Sequence, residues 1–346
     1  MRIAVDAMGS DRAPDVEVEG AVAASLESDT EILLVGNEAV LNEILAKHPK
    51  RGAVSVVHAS EAIQMNEPPV MAVRRKRDAS MPVAMRLIKE DKADAVVSAG
   101  NTGAVVVSAR TILGPLKGVS RSAMCQCLPT AKGRVVLIDL GANVDCSTRQ
   151  LCEFAEMGIA YSHYALGVET PRVGLLNIGE EVGKGGQVAK EAYQSLSAAP
   201  HINFMGNIEP RAMYQGEADV VVCDGFVGNM ILKTSEAVAG LMAKLMREKL
   251  ESSSMSKIGA VLARKSLLAL KQTIDPNEYP GAPLLGVNGI VIIIHGASSP
   301  RGVANAIHGA RVAFENKLNE HIRENMERLR SAQGAAPDPP PAECPE

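Results

Sequence analysis

Ala93-Asp-Ala-Val-Val-Ser-Ala-Gly-Asn-Thr-Gly-Ala104 is the stretch that decides the fold. The aliphatic run from Ala93 to Val97 reads as a strand, and Ser98 to Gly103 interrupts it with small, polar and glycine residues before a helix begins. The same punctuation recurs along the chain. Strand-like runs stand at Arg2 to Val5, Glu31 to Val35, Val54 to His58, Arg134 to Ile138, Arg172 to Asn177, Ile202 to Met205, Asp219 to Val222 and Ile290 to Ile294. Strands alternating with helices predict an α/β fold whose mostly parallel sheet is covered on both faces.

Many of these runs end in a polar or glycine cluster: Asp6 to Gly9, Ser98 to Gly103, Asp139 to Asn143, Asn177 to Glu181, Asp224 to Asn229 and His295 to Ser298. Ligands of open α/β sheets bind beyond the carboxyl ends of the strands, so these clusters are expected to share one site. The candidate substrate contacts are Asp6, Gly9, Ser98, Gly100, Asn101, Thr102, Gly103, Asp139, Asn143, Glu180, Asp224 and Gly225. From Phe226 to about Lys271 the pattern changes to long helix, a helical excursion between strands. Residues 1–330 read as one domain, and 331–346, rich in Pro and Ala without apolar periodicity, as a disordered tail.

A net charge of −4, no Trp, five Tyr and four Phe argue against a nucleic-acid partner, which would want cationic surface and stacking platforms. The six cysteines are scattered without the spacing of a zinc site. No signal peptide and no apolar run of membrane-spanning length is visible, which predicts a cytoplasmic protein. Gly179-Glu-Glu-Val-Gly-Lys184-Gly is one residue short of a phosphate loop and has Gly185 where the magnesium-binding hydroxyl belongs. Neither a nucleophile elbow nor a zinc-protease helix occurs.

What remains are loops suited to an anion. In Ser98 to Gly103 the glycines admit close backbone approach and the helix offers its positive end; the same pattern also serves as an ordinary capped turn. Lys184 is a point charge at a helix start, suited to phosphate or an oxyanion, or else simply solvated. Asn229 can donate amide hydrogens, while Asp224 can accept them or cap the long helix. His295 closes an aliphatic strand where an imidazole would face the crevice.

These segments resemble the PlsX family of phosphate acyltransferases. The resemblance is carried by Ile3 to Gly9, Ser98 to Ala104, Leu140 to Cys146, Pro171 to Glu181, Val222 to Asn229, Gly281 to Gly286 and His295-Gly296, in order from residue 2 to about 314. Ser10, Ser122 and Pro280 depart from the family pattern without removing a polar catalytic group. The resemblance implies a homodimer with a three-layer α/β/α, isopropylmalate-dehydrogenase-like fold. It implies acyl transfer from acyl carrier protein to inorganic phosphate, with the product passed to the membrane acyltransferase PlsY. Lys184, Asn229 and the two glycine loops fall on the family motifs and inherit candidate catalytic roles, and His295 is assigned a hydrogen bond to the reacting groups from its place at the strand end.

Phosphate can attack a thioester directly, so the expected chemistry needs orientation and oxyanion stabilisation but no metal or other cofactor. Two other readings stand beside it: a nicotinamide-dependent decarboxylating dehydrogenase, for which no acidic ligand trio is evident, and a docking protein without catalysis. In Ser254 to Lys265, Met255, Ile258, Val261 and Leu262 recur at helical spacing beside Lys257, Arg264 and Lys265. They are candidate contacts for peripheral attachment to the inner membrane face, or for a partner subunit.

Overall fold

The computed structural model describes residues 1–333. Its strands are β1 Arg2–Asp6, β2 Glu31–Gly36, β3 Val54–His58, β4 Ala95–Ser98, β5 Ala123–Thr130, β6 Gly133–Ile138, β7 Val173–Leu176, β8 Phe204–Ile208, β9 Val220–Val222, β10 Ala282–Leu285 and β11 Ile290–Ile293. Its helices are α1 Asp15–Glu27, α2 Glu38–Leu45, α3 Pro69–Arg75, α4 Ser80–Lys89, α5 Thr102–Ser108, α6 Thr148–Ala160, α7 Gln187–Ser197, α8 Pro210–Tyr214, α9 Gly225–Glu251, α10 Ser254–Leu262, α11 Arg264–Ile274, α12 Pro300–Glu315 and α13 Leu318–Gln333.

The strands form one 11-stranded sheet in the order β3-β2-β1-β4-β11-β10-β5-β6-β9-β7-β8. All nine sequence-predicted strands are present, and β5 and β10 are additional. These two strands change the architecture. β10 is antiparallel to β11 and to β5, and β5 is antiparallel to β6. The parallel set β3-β2-β1-β4-β11 therefore runs opposite to the parallel set β6-β9-β7-β8. The carboxyl ends of the two parallel sets thus face opposite edges of the sheet.

Alternation along the strands builds a three-layer structure. Ile32 and Leu34 point into a core shared with Val16 of α1, Leu41 of α2, Leu151 of α6, Ala192 of α7, Val303 of α12 and Leu318 of α13. Leu33 and Val35 point the other way, toward Ala72 of α3, Met81 of α4, Val105 of α5, Met213 of α8 and Leu232 of α9. Both strand faces are apolar because both are covered.

α9 is 27 residues long, about 40 Å at 1.5 Å per residue, but its buried residues are only Gly225, Gly228 and Leu232. The rest leaves the body as an arm. α10, which contains no buried residue, and α11 bring the chain back. The predicted excursion is thus three helices. α13 continues to Gln333, into the segment read as a tail, and the remainder of that tail lies outside the described residues.

Candidate active site

The two opposed sets of strands meet at the centre of the sheet. Met124 of β5 pairs with Leu284 of β10, while its neighbour Cys125 pairs with Ile138, the last residue of β6. Beside this crossing lies a cavity of about 400 Å³. Thr102 and Gly103 enter it from the β4–α5 loop, Gly141 from the loop after β6, Asn229 and Lys233 from α9, and His295 and Ser298 from the loop after β11. Four of the predicted clusters therefore contribute to one site.

Two of these loops are held from beneath by buried carboxylates and amides. Asp6, fully buried at the end of β1, accepts from Ser98 Oγ at 2.7 Å, and Ser98 Oγ in turn accepts from Gly100 N–H at 3.1 Å. Burial raises the Asp6 pKa, opposed by hydrogen bonds from Ser80 and Ser98. A Cβ on Gly9 would lie 2.8 Å from Gly100 Cα, so this loop pair closes only with glycines. Asn101 caps α5 by accepting from Ala104 N–H at 3.1 Å, and its amide donates to the carbonyls of Met65 and Glu67, both at 3.0 Å.

Across the cavity, Asp139 plays the corresponding part. Its carboxylate accepts from the N–H groups of Met124 (2.9 Å), Leu140 (2.6 Å) and Asn143 (2.7 Å) and from Asn143 Nδ2 (2.9 Å). Burial raises its pKa and those donors counter it. Asn143 also accepts from Arg110 at 2.8 Å. Asp224 caps α9, accepting from Val227 N–H at 2.8 Å, and Gly225 packs against Gly141. Asp6, Ser98, Asn101, Asp139, Asn143 and Asp224 thus have internal hydrogen-bond partners that shape the loops.

The groups that face the cavity are different. Asn229 and His295 are exposed. His295 Nδ1 accepts from Ala297 N–H at 3.0 Å, which puts the hydrogen of the neutral ring on Nε2. Lys233 stands one helical turn beyond Asn229 and pairs with Glu236 at 2.8 Å. Sequence reading missed Lys233, although its i+4 spacing from Asn229 was visible. α12 also begins at this cavity, with Ser299 capping Gly302 N–H at 3.3 Å, so its positive end favours an anion.

Lys184 and Glu180 are exposed and lie elsewhere, in the loop between β7 and α7. Lys184 Nζ is 3.8 Å from Glu181, and Asn177 donates to the Lys184 carbonyl at 3.1 Å. A second cavity of about 470 Å³ adjoins this loop, with Gly186 and Val188 on one wall and Asp224 and Val227 on the other. Asn229 and the loop that carries Lys184 thus adjoin different cavities, the second reaching the first turn of α9 through Val227. Burial pushes the thiols of Cys125, Cys127, Cys146, Cys152 and Cys223 upward, the opposite of an activated nucleophile. Among the described residues no cluster of His, Cys, Asp and Glu could hold a metal ion.

The family described as "Fatty acid synthesis protein" matches residues 1–321. A phosphate acyltransferase of Pelotomaculum thermopropionicum is 47% identical over 329 residues, covering 95% of this chain and 96% of that protein. One from Geobacter sulfurreducens is 45% identical, covering 94% of each chain. The chain belongs to the phosphate acyltransferase family. It is an acyltransferase of the PlsX type, and the cavity just described is the candidate seat of its chemistry. A phosphotransacetylase from Streptococcus pyogenes has the related fold, with a TM-score of 0.59 at 18% identity over 93% of this chain and 94% of that one. A 4-hydroxythreonine-4-phosphate dehydrogenase from Klebsiella pneumoniae gives 0.52 at 14% identity over 90% and 99%.

Proposed function

We propose that this phosphate acyltransferase moves a fatty acyl group reversibly from acyl carrier protein to inorganic phosphate. The observation that carries this reading is the cavity into which Thr102, Asn229, Lys233 and His295 converge beside the positive end of α12. Phosphate is held there by backbone donors of the Ser98 to Gly103 loop and by Lys233. One phosphate oxygen attacks the thioester carbonyl, the C–O bond forms, and the carbonyl oxygen becomes an oxyanion. Asn229 Nδ2 and His295 Nε2–H donate to it. The C–S bond then breaks, and the carrier's thiolate leaves with the electron pair and takes a proton from solvent. Lys184 is assigned to phosphate or the oxyanion as a mobile cation reaching in from outside this cavity; the nearest support is that Gly186 of its loop and Val227 of the first turn of α9 line one neighbouring cavity.

The fold is read as isopropylmalate-dehydrogenase-like, supported by the fold shared with the Klebsiella dehydrogenase. A homodimer is supported by α9, where Leu241, Met242, Leu245 and Met246 recur on one helical face and are at least 39% exposed. A peripheral membrane contact is supported by α10, where Met255, Ile258, Val261 and Leu262 are 57–83% exposed. No helix among the described residues is long and apolar enough to cross a membrane. Delivery of the acyl phosphate to a membrane acyltransferase such as PlsY, from the cytoplasmic face, follows from that contact. Hydroxylamine trapping after acyl-carrier thioester is mixed with phosphate tests the reaction: a hydroxamate that requires phosphate is expected, and its absence refutes the assignment.

A further inference from the structure

The reacting cavity does not end at α9. A groove of about 690 Å³ shares Gln126, Leu232, Glu236 and Tyr279 with it and continues along the arm. Beyond the shared residues its walls turn apolar: Leu128 and Pro129 from β5, Ala239 and Ala243 from α9, and Ile274 from the end of α11. The polar boundary is the ion pair Lys233–Glu236, and Tyr279, anchored to the Thr273 carbonyl at 2.6 Å, stands opposite.

From this geometry we infer that the groove is the acyl-chain subsite and that its α9 wall sets chain-length preference. The inference rests on the reaction proposed above. Asn229 to Ala243 spans about 21 Å of helix at 1.5 Å per residue. One acyl tail of a bilayer spans roughly half of the ~30 Å hydrocarbon core, so a long chain fits between the reacting carbonyl and Ala243. A second copy of this chain is the competing occupant. Its natural seat is the neighbouring face of α9 carrying Leu241, Met242, Leu245 and Met246, whereas Leu232, Glu236, Ala239 and Ala243 follow the helix on the side that joins the reacting cavity. The groove's continuity with the polar cavity selects the substrate's own tail.

The test compares octanoyl, lauroyl and palmitoyl carrier thioesters with Ala239→Phe and Ala243→Phe. Each methylene forced out of an apolar site lowers affinity about fourfold. Ala239→Phe should spare octanoyl transfer and reduce kcat/KM for lauroyl and palmitoyl by at least about tenfold. Ala243→Phe, one turn further from Asn229, should spare lauroyl and affect palmitoyl. Equal losses at all lengths, loss of the dimer in place of a length effect, or no change at any length would overturn the inference. A palmitoyl thioester with a terminal diazirine provides a measurement on the unmodified protein, and labelling of peptides containing Ala243 or Ile274 is expected. Labelling confined to other segments overturns it. Failure of the unmodified enzyme to form acyl phosphate from any thioester would instead defeat the proposed reaction.

Discussion

Glu17 is the buried acid whose consequence is most directly calculable. It sits in the first turn of α1, 1% exposed, with one carboxylate oxygen accepting from Ser10 N–H at 3.2 Å and the other without a partner. Burial is the main cause of a pKa raised from 4.5 to about 7, with Asp6 adding like-charge repulsion. A raised carboxyl pKa means that the folded state holds the proton more tightly. Its penalty is absent below the unfolded value of 4.5, grows as pH rises through the folded value of about 7, and is constant above it. At about 1.4 kcal/mol per pH unit, the full penalty is about 3 kcal/mol. Glu17→Gln removes the charge while retaining the shape. Urea unfolding of both proteins, at one protein concentration, should show the variant gaining about 2.5 kcal/mol on the parent between about pH 5 and about pH 8. The comparison matters more than either curve, because other carboxylates titrate equally in both proteins. A stability difference that does not change with pH would refute the argument that a buried, half-satisfied carboxyl ionises there.

Other outcomes follow from the proposed site and surfaces. Asn229→Ala and Lys184→Ala should each lower kcat by about 100- to 1000-fold with unchanged unfolding curves, and near-normal turnover in both would remove them from the mechanism. Arg74 and Arg75 are exposed at the end of α3, whose Pro69 ring stands against Gly103 of the cavity loop. Arg74→Glu with Arg75→Glu, or rising salt, should raise KM for the acidic carrier substrate with little change in kcat, and a salt-independent KM would count against electrostatic docking. Ile258→Asp with Leu262→Asp should abolish co-sedimentation with anionic liposomes while the dimer and soluble acyl transfer persist. Loss of the dimer would assign α10 to the subunit interface instead.

Much of the fold was legible because parallel strands buried on both faces carry unbroken aliphatic runs. Ala93 to Val97 and Arg134 to Ile138 announce themselves in this way. β5 does not: Ala123-Met-Cys-Gln-Cys-Leu-Pro-Thr130 mixes thiols, an amide and a proline. β10 is only four residues, Ala282-Pro-Leu-Leu285, and its proline weakens the local strand signal. These are the strands that reverse the sheet between its two halves. The pattern of strong strands therefore revealed the layers but concealed their opposed direction.

The site was legible to the level of loops, and the reason lies in how polar residues at strand ends are used. Sequence marks Asp6, Ser98, Asp139 and Asn143 as rich in donors and acceptors, but cannot say which of those atoms are already engaged. The fold engages them: Asp139 meets a ring of backbone N–H groups, and a Cβ on Gly228 would lie 1.9 Å from the Asp139 carbonyl oxygen. Such residues determine where a ligand sits by fixing the loops around it. Direct contact then falls to side chains with capacity left over. Asn229 has no such constraint, His295 gives one ring nitrogen to Ala297 and presents the other, and Lys233 is placed by helical periodicity. The proposed anion site is consequently built in two tiers, with buried Asp6 and Asp139 organising the loops and Asn229, His295 and the ion-paired Lys233 lining the cavity. Glu236 is the carboxylate that does line the cavity, and its pairing with Lys233 offsets the repulsion it would otherwise exert on phosphate.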